Sequence, residues 1–200
     1  NYYAEKYYQT DQGSYRKEYS ELELEFVNLK IEQRAACAEN YGRSDNDRGC
    51  PTLLDVGCGE GFTLAWYKER GWCVEGIDFS KTGIEAHNPS VLADFHEGDI
   101  FELLQQRIRD GIKYDLVWLQ NVLEHVVDPV RLLVDLRRIV KSSGGELIVT
   151  VPNDGSRFQQ MLIEEQLIAE PFWIAVPDHV SYFTASSLRN TSSATGWLCK

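Results

Sequence analysis

The sequence predicts an α/β domain built around a mostly parallel, doubly wound sheet. From Thr52 onward, short β-rich runs alternate with helical segments. Strands separated by helices of roughly 10–15 residues indicate parallel crossovers and a sheet covered on both faces. The first of these runs ends in the glycine-rich turn "DVGCGEG", Asp55–Gly61. Ligands of such sheets bind beyond the carboxyl ends of the strands, so the residues just after each strand are the candidate site residues.

An arm and a helix are expected before the sheet. Residues 1–20 contain six tyrosines and are predicted to be either a lid over a site or a packed arm. Apolar positions among charged residues and helix formers predict a helix from about Glu18 to Asn40. The following "NYGRSDNDRGCP" is rich in Asn, Asp and Gly and is predicted to be a loop.

The strands and helices of the sheet are predicted in alternation. The strands are "TLLDVG", "CVEGIDFS", a run within "VLADFHEGD", "YDLVWLQN" and "GELIVTVPN". The helices between them are "FTLAWYKERG", closed by its glycine, a weak "KTGIEAHN", "IFELLQQRIRDG" and "VDPVRLLVDLRRIVKSSGG". Later, "RFQQMLIEEQLIAE" is a predicted helix and "PFWIAVPDHVSYF" an aromatic connection. A last helix is predicted in "TASSLRNTSSATG", with Thr184 as its N-cap.

Composition narrows the class of partner. Twenty basic against thirty-one acidic residues give a net charge of −11, which disfavours nucleic acid and anionic membranes as partners. No apolar run approaches the roughly 18 residues of a membrane span, and the N-terminus lacks the apolar region of a signal peptide. We expect a soluble cytoplasmic protein with a small-molecule substrate.

The cysteines favour a reducing compartment. The chain has five, an odd number, with no C-x-x-C pair. This pattern predicts neither a disulfide framework nor a zinc site. No cluster of metal-ligand residues is visible in the sequence, so no metal is predicted.

The glycine turn admits two kinds of cofactor site or a purely structural turn. A dinucleotide motif G-x-G-x-x-G starting at Gly57 would need glycine at position 62, which is Phe62, and the phosphate loop G-x-x-x-x-G-K-[ST] is absent. The spacing D-x-G-x-G-x-G instead resembles the first motif of class I S-adenosylmethionine-dependent methyltransferases. The resemblance implies their Rossmann-like fold, with S-adenosylmethionine as cofactor and S-adenosylhomocysteine as product. It implies that backbone groups of the turn are free to bond the amino and carboxylate ends of the cofactor. The cofactor-binding residues implied here are Asp55, Gly57, Cys58, Gly59, Glu60 and Gly61.

Acids follow the second and third predicted strands, as the resemblance requires. Asp78, followed by Phe79 and Ser80, is expected to accept the ribose hydroxyls, although nicotinamide sites use the same acid and it could simply cap a helix. Asp99 is expected to meet the adenine amino group and the amide of Ile100 the ring. A capping role for Asp99 is the alternative, and both roles can hold at once.

The stretch "DLVWLQNVLEHVVDP" resembles the fourth motif of the same family. It implies that Gln120 and Asn121 lie beside the cofactor. Glu124 and His125 would follow at the edge of the next segment. His125 is expected either to reach the substrate as a catalytic residue or to be a helix-start histidine held by its neighbours.

The acceptor side is expected in the segment that follows the fifth strand. "PDHVSYFTASSL" resembles the small-molecule, ubiquinone-methyltransferase-like subgroup, which implies a sugar, quinone or secondary-metabolite acceptor. His179 is the preferred catalytic base, because an unperturbed histidine has a pKa of about 6.5, with a role in bracing the turn as the alternative. An aromatic pocket, or ordinary core packing, is predicted for Phe158, Phe172, Trp173, Tyr182 and Phe183. Tyr8, with Tyr3 and Tyr7, is expected to close over the cofactor as part of the arm.

These expectations divide the chain into an N-terminal arm and helix, 1–45, and a methyltransferase core, 46–200, with an acceptor-side insertion at about 153–185. The family's strand order is 3-2-1-4-5-7-6, but this sequence stops at "GWLCK", so the last antiparallel pair is expected to be missing or truncated. An unpaired edge strand invites association, and a homodimer is an open expectation. The alternatives to a small-molecule enzyme are a non-catalytic methyltransferase-like binding domain and, less favoured, a protein methyltransferase.

Overall fold

The computed structural model describes residues 18–38, 49–172 and 174–200. Its strands are β1 (Thr52–Val56), β2 (Cys73–Asp78), β3 (Phe95–Glu97), β4 (Leu116–Gln120) and β5 (Glu146–Thr150). Its helices are α1 (Glu21–Ala35), α2 (Phe62–Glu69), α3 (Thr82–His87), α4 (Ile100–Arg109), α5 (Pro129–Ile139), α6 (Arg157–Glu164) and α7 (Ala185–Ala194). A 3-10 helix, Pro89–Asp94, precedes β3.

The strands form one five-stranded sheet in the order β3-β2-β1-β4-β5. The pairs β1–β2 and β2–β3 are parallel, with Asp55 opposite Gly76 and Asp78 opposite Glu97. This confirms the predicted α/β class and the first five strands of the expected order. Within the described ranges there is no final antiparallel pair, and no helix there is long and apolar enough to cross a membrane.

The chain divides into two compact units. One comprises the chain up to Trp118 together with Ile139–Ile148, and the other comprises Leu119–Arg138 together with Val149–Lys200. The glycine turn and the acids after β2 and β3 belong to the first unit. The histidines predicted to act on the acceptor belong to the second.

The core of the first unit is rich in aromatic side chains around Tyr67, which is fully buried. The rings of Trp66 and Trp72 each lie 4.9 Å from the Tyr67 ring, and that of Trp118 lies 5.8 Å away, all near edge-to-face. Such pairs contribute about 0.5–1.5 kcal/mol each beyond the area they bury. The Tyr67–Trp118 pair packs α2 against β4, and the Tyr67–Trp72 pair packs it against the residue that precedes β2.

Side-chain caps set where several helices begin. Ser20 and Glu23 form a capping box at the start of α1, which is why this helix begins at Glu21 rather than at the predicted Glu18. It ends at Ala35, five residues before the predicted end. Thr184 caps α7, as predicted, through a 3.1 Å bond to its hydroxyl oxygen from the amide of Ser187.

The prediction that the cysteines form no disulfide framework is wrong for one pair. Cys50 and Cys73 are joined by a disulfide, with their Cα atoms 5.8 Å apart. The cause is the β1–β2 register, which sets Cys73 opposite Thr52, two residues after Cys50. Cysteine spacing alone does not reveal this pair, because the strand pairing brings the two residues together. Cys37 and Cys199 are free and exposed, and Cys58 is free and buried.

Candidate functional site

The turn between β1 and α2 depends on glycine. Gly57, Gly59 and Gly61 have φ values of 74°, 52° and 77°, in the left-handed region that other residues rarely adopt. A Cβ on Gly61 would also lie 2.8 Å from the Cγ1 atom of Ile84. The spacing noticed in the sequence is therefore a backbone requirement of this turn.

The amides of the turn are used within the protein. Four of them donate to protein acceptors: Gly57 N and Cys58 N to Ile77 O (2.8 and 3.3 Å), Gly59 N to Asp78 Oδ2 (2.9 Å), and Gly61 N to Cys58 O (2.9 Å). In the described part of the chain, no group donates to the carbonyl oxygens of Gly57 or Gly59. Four amides of the turn are therefore engaged within the protein, and contact of its backbone with the cofactor stays a prediction.

Two buried carboxyl groups belong to this turn. Asp55 and Asp78 are each only 3% exposed. Burial, with the charge of Asp78 adding to it, raises the pKa of Asp55 to about 8. Burial raises the pKa of Asp78 to about 6, against the opposing effect of main-chain hydrogen bonds from Gly59 and Ser80. Together with the two carbonyl oxygens, these carboxyls make the surroundings of the turn rich in acceptors.

The residues after β2 hold the Asp78 carboxylate in place. The amide of Ser80 donates to Asp78 Oδ1 at 3.3 Å, while the hydroxyl of Ser80 contacts Thr82 Oγ1 at 3.1 Å. Phe79, between them, is half-buried. Asp78 therefore does not cap α3, whose N-cap is Lys81.

Glu60, predicted as a cofactor contact, has protein partners for its carboxylate. The hydroxyl of Tyr19 donates to its Oε1 and Oε2 at 2.8 and 3.0 Å, and His87 Nε2 lies 3.4 Å from Oε1. The side-chain amide of Asn88 donates to the Glu60 carbonyl at 2.8 Å. The bonds from Tyr19 connect the residue before the N-cap of α1 to the glycine turn.

Asp99 has the capping role that the sequence left open. Its Oδ1 accepts the amides of Phe101 and Glu102, at 2.9 and 3.1 Å, at the start of α4. Ile100 is the first residue of that helix. Asp99 Oδ2 takes no part in the cap, so contact with adenine stays a prediction.

In the second unit, the fourth motif forms a turn. Gln120 is the last residue of β4. Asn121 follows with a φ of 53°, and its amide donates to Thr150 O at 2.8 Å. Glu124 and His125 lie in the turn itself, and α5 begins only at Pro129, so His125 is not a helix-start histidine.

The second unit brings both predicted histidines together with Glu124. The rings of His125 and His179 are 4.8 Å apart and nearly perpendicular. One side-chain nitrogen or oxygen of each of the three residues lies within 4.8 Å of the others, and His125 Nε2 is 3.9 Å from Glu124 Oε1. We call Glu124, His125 and His179 the Glu-His-His cluster.

Main-chain bonds fix the geometry of this cluster. The Glu124 carbonyl accepts the amides of Val180 and Ser181 at 2.9 and 3.0 Å. His125 Nδ1 lies 2.8 Å from the Asp178 carbonyl oxygen, to which it donates because that oxygen can only accept. The segment that carries His179 is thus fastened to the turn that carries Glu124 and His125.

Glu124 is the most unusual member of the cluster. It is 2% exposed, and among the residues that the structure describes neither of its carboxylate oxygens has a hydrogen-bond partner. Burial raises the pKa of Glu124 to about 7, and the charge of Asp154 acts in the same direction. Asp154 also has one buried oxygen, Oδ1, without a hydrogen-bond partner, while its Oδ2 accepts the amide of Phe183 at 3.0 Å. Burial lowers the pKa of His125.

The predicted aromatic pocket is divided between surface and core. Phe158, Phe172 and Tyr182 are exposed, whereas Phe183 is buried. Trp173 lies outside the described residues, as do Tyr8, Tyr3 and Tyr7 of the predicted lid. The ring of Tyr182 lies 6.2 Å from that of His179.

Sequence reasoning missed the cluster as a unit because its parts are distant in the chain. His179 is 54 positions after His125, and nothing in either motif indicates that they meet. It also missed the Tyr19–Glu60–His87 contact, since Tyr19 lies 41 positions before Glu60. The "LEH" and "DHV" stretches were the only available signals.

Together, the strand order and the glycine turn with an acid after β2 define a methyltransferase-type α/β domain. Residues 17–198 match the model of the family described as "Methyltransferase domain". The chain therefore belongs to this family.

The chain is also similar to curated O-methyltransferases. It is 25% identical over 160 residues to the ubiquinone biosynthesis O-methyltransferase of Aeromonas salmonicida (strain A449), covering 74% of this chain and 63% of that protein. Identity to the Nitrosomonas europaea protein of the same name is 26% over 150 residues, covering 72% and 63%. The chain thus spans less than two thirds of the length of either relative.

Solved structures share the fold. A SAM-dependent methyltransferase from Archaeoglobus fulgidus superposes with a TM-score of 0.64 at 20% identity, covering 98% of this chain and 73% of that one. Magnesium protoporphyrin IX methyltransferase from Synechocystis PCC 6803, solved with bound SAH, gives a TM-score of 0.59 at 15% identity, covering 90% and 78%. At these identities the likeness concerns the fold.

Proposed function

We propose that this protein transfers a methyl group from S-adenosylmethionine to a small organic acceptor of the sugar, quinone or secondary-metabolite type. Family membership and the similarity to O-methyltransferases support the reaction class. The observation that carries the choice of cofactor is the acceptor-rich glycine turn. Four of its amides donate within the protein, and its neighbours are buried carboxyls. A pyrophosphate needs donors and repels carboxylates, whereas an ammonium and a sulfonium need acceptors and negative charge.

The proposed binding residues follow from this chemistry. The carbonyl oxygens of Gly57 and Gly59 would take the ammonium end of the cofactor. Asp55, which holds a proton up to a pKa of about 8 in the ligand-free chain, would ionise beside that positive charge. Asp78, at the end of β2, accepts hydrogen bonds from the amides of Gly59 and Ser80. Its remaining lone pairs would accept hydrogen bonds from the ribose hydroxyls. Asp99, Ile100, Gln120 and Asn121 stay proposed contacts of the adenine and the remaining cofactor atoms.

The bound cofactor would supply a methyl group already activated by the positive charge on sulfur. What the chain must add is alignment of the acceptor and, for a hydroxyl acceptor, removal of its proton. We assign the second task to the Glu-His-His cluster. Because His125 donates from Nδ1, its Nε2 carries the lone pair that would accept the proton, and the His179 ring lies against the His125 ring.

The test begins with binding and proceeds to turnover. We expect isothermal titration calorimetry to show one S-adenosylhomocysteine bound per chain, with no binding of NAD under the same conditions. Methyl transfer from labelled S-adenosylmethionine is then measured against phenolic, quinol and sugar acceptors. Binding of NAD in place of S-adenosylhomocysteine would refute the cofactor assignment. Binding of S-adenosylhomocysteine without turnover on any acceptor would instead favour a non-catalytic domain.

A further inference from the structure

We propose that the Glu-His-His cluster is a binding site for one divalent transition-metal cation. Its three side chains are of the types that bind such ions, two imidazoles and a carboxylate. Their nearest ligand atoms lie within 4.8 Å of one another in the second unit. A cation with ligand distances of about 2.0–2.2 Å holds its ligand atoms roughly 3.0–3.6 Å apart, so binding would draw the most separated pair together by about 1 Å.

The first supporting observation is the tautomer of His125. Its Nδ1–H donates to the Asp178 carbonyl at 2.8 Å, which leaves the lone pair on Nε2. Metal-binding histidines characteristically donate their second ring N–H to a backbone carbonyl or a carboxylate, which orients the ring and raises its basicity. The arrangement around His125 is that of an oriented ligand.

The second is the orphaned carboxylate of Glu124. Both oxygens are buried and have no hydrogen-bond partner within 18–38, 49–172 and 174–200, and one of them lies 3.9 Å from His125 Nε2. Buried polar groups without partners are costly, and charged ones much more so. A cation bound to Glu124 would satisfy this carboxylate. It would also offset the negative charge of Asp154, whose buried Oδ1 likewise lacks a hydrogen-bond partner.

The third supporting observation is that the two segments carrying the ligands are joined by hydrogen bonds while the cluster remains accessible to solvent. The two segments that supply the ligands are joined by the bonds from Val180 and Ser181 to the Glu124 carbonyl. The His125 side chain is 22% exposed, so an ion can enter from solvent. Because main-chain hydrogen bonds join the two segments that carry the ligands, this cluster differs from surface acids that meet by chance.

The ligand set selects the kind of ion. Imidazole nitrogen favours Zn²⁺, Co²⁺, Fe²⁺ or Mn²⁺ over Mg²⁺ and Ca²⁺, which prefer all-oxygen sites. Three protein ligands leave at least one position open, as in catalytic rather than structural zinc sites. This step rests on the proposed function: the open position would take a hydroxyl oxygen of the acceptor and lower the pKa of that hydroxyl, so that its proton passes to bulk water. His125 and His179 would then be ligands, not proton acceptors.

The experiment measures cation binding without reference to methyl transfer. The chelator-treated protein is titrated with CoCl₂ and with ZnCl₂ by calorimetry, with MgCl₂ as the comparison ion, and Co²⁺ binding is followed by visible absorption. We expect one Co²⁺ or Zn²⁺ per chain and much weaker Mg²⁺ binding. His179→Ala should weaken Co²⁺ binding at least 10-fold, and Glu124→Gln should do the same with little change in shape. His96→Ala, which removes an imidazole of the other unit, should bind as the wild type does.

Circular dichroism and S-adenosylhomocysteine titration accompany each variant, so that misfolding and failure of the proposed function are recognised separately. Unchanged Co²⁺ affinity in folded His179→Ala, or equal losses in His96→Ala, would overturn the site. A thiolate-to-cobalt absorption band would also overturn it, because the exposed Cys37 and Cys199 would then be the ligands. If S-adenosylhomocysteine fails to bind but Co²⁺ binding depends on His179, the metal site stands and the proposed function falls.

Discussion

Asp78 accepts a hydrogen bond from the amide of Gly59 at 2.9 Å, so the end of β2 holds the turn that follows β1. The same carboxylate accepts the amide of Ser80 through its other oxygen. One buried acid therefore organises two loops of the first unit and offers its remaining lone pairs to a ligand.

Replacing Asp78 tests this double role. Asp78→Asn keeps one acceptor oxygen but turns an NH₂ group toward one of the two amides. We expect S-adenosylhomocysteine affinity to fall at least 10-fold, about 1.4 kcal/mol, and the melting temperature to fall as well. Asp94→Asn, which removes an exposed salt bridge to Lys68, serves as the control and should change neither. Wild-type affinity in Asp78→Asn would remove Asp78 from the site.

Asp55 predicts a pH dependence of stability in the ligand-free protein. Its pKa rises from 3.8 to about 8 on folding, so between these values the folded state holds a proton that the unfolded state has lost. The unfolding free energy must then decrease as pH rises through this window. Asp55→Asn stays uncharged and should lose less stability between pH 5 and pH 8. Urea denaturation at both pH values measures the difference, and equal losses in the two proteins would contradict it.

Gly61 and Gly71 form a matched pair for separating backbone strain from crowding. Both have positive φ values, 77° and 80°, but a Cβ at Gly71 meets nothing within 4 Å, whereas one at Gly61 meets Ile84 at 2.8 Å. Gly71→Ala should cost about 1–2 kcal/mol of unfolding free energy from the left-handed backbone. Gly61→Ala should cost about 1–3 kcal/mol more from overpacking. Chemical denaturation of both variants measures the difference. Equal losses of unfolding free energy would show that the Ile84 side chain moves aside without a measurable cost.

The disulfide between Cys50 and Cys73 should contribute measurably to stability. It closes a loop with a sequence separation of 23, for which chain entropy gives about 3 kcal/mol. We expect Cys50→Ser to lower the unfolding free energy by about this amount under oxidising conditions, and a reductant to have no further effect on that variant. Cys37→Ser, at an exposed free thiol, is the control. Mass spectrometry of the unreduced protein would contradict the assignment by finding five free thiols in the five-cysteine chain.

The fold was predictable because its signals are local. Glycine at positions 57, 59 and 61 is required by backbone conformation, and the acids after β2 and β3 stand at strand ends that β-rich runs already mark. The start of α7 was likewise predictable from one residue, because the Thr184 hydroxyl oxygen accepts a hydrogen bond from the amide of the residue three positions later.

The second unit was less predictable because its contacts are long-range. The role of Glu124 depends on burial and on the absence of a hydrogen-bond partner, neither of which a single sequence contains. The disulfide depends on the register of β1 and β2. The hydrogen-bond partner of the Glu60 side chain is Tyr19, which lies 41 residues earlier, just before α1. In each case the deciding quantity is a distance between segments, which local pattern does not encode.

The clasp between the Glu124 carbonyl and the amides of Val180 and Ser181 uses only main-chain atoms. The neighbouring side chains of Val176, Val180 and Tyr182 are exposed and take no part in it. Evolution can therefore exchange those side chains without displacing the histidine between them. The exposed surface beside the His179 ring can thus vary in size and polarity while the segment that carries His179 stays fastened to the Glu124 turn.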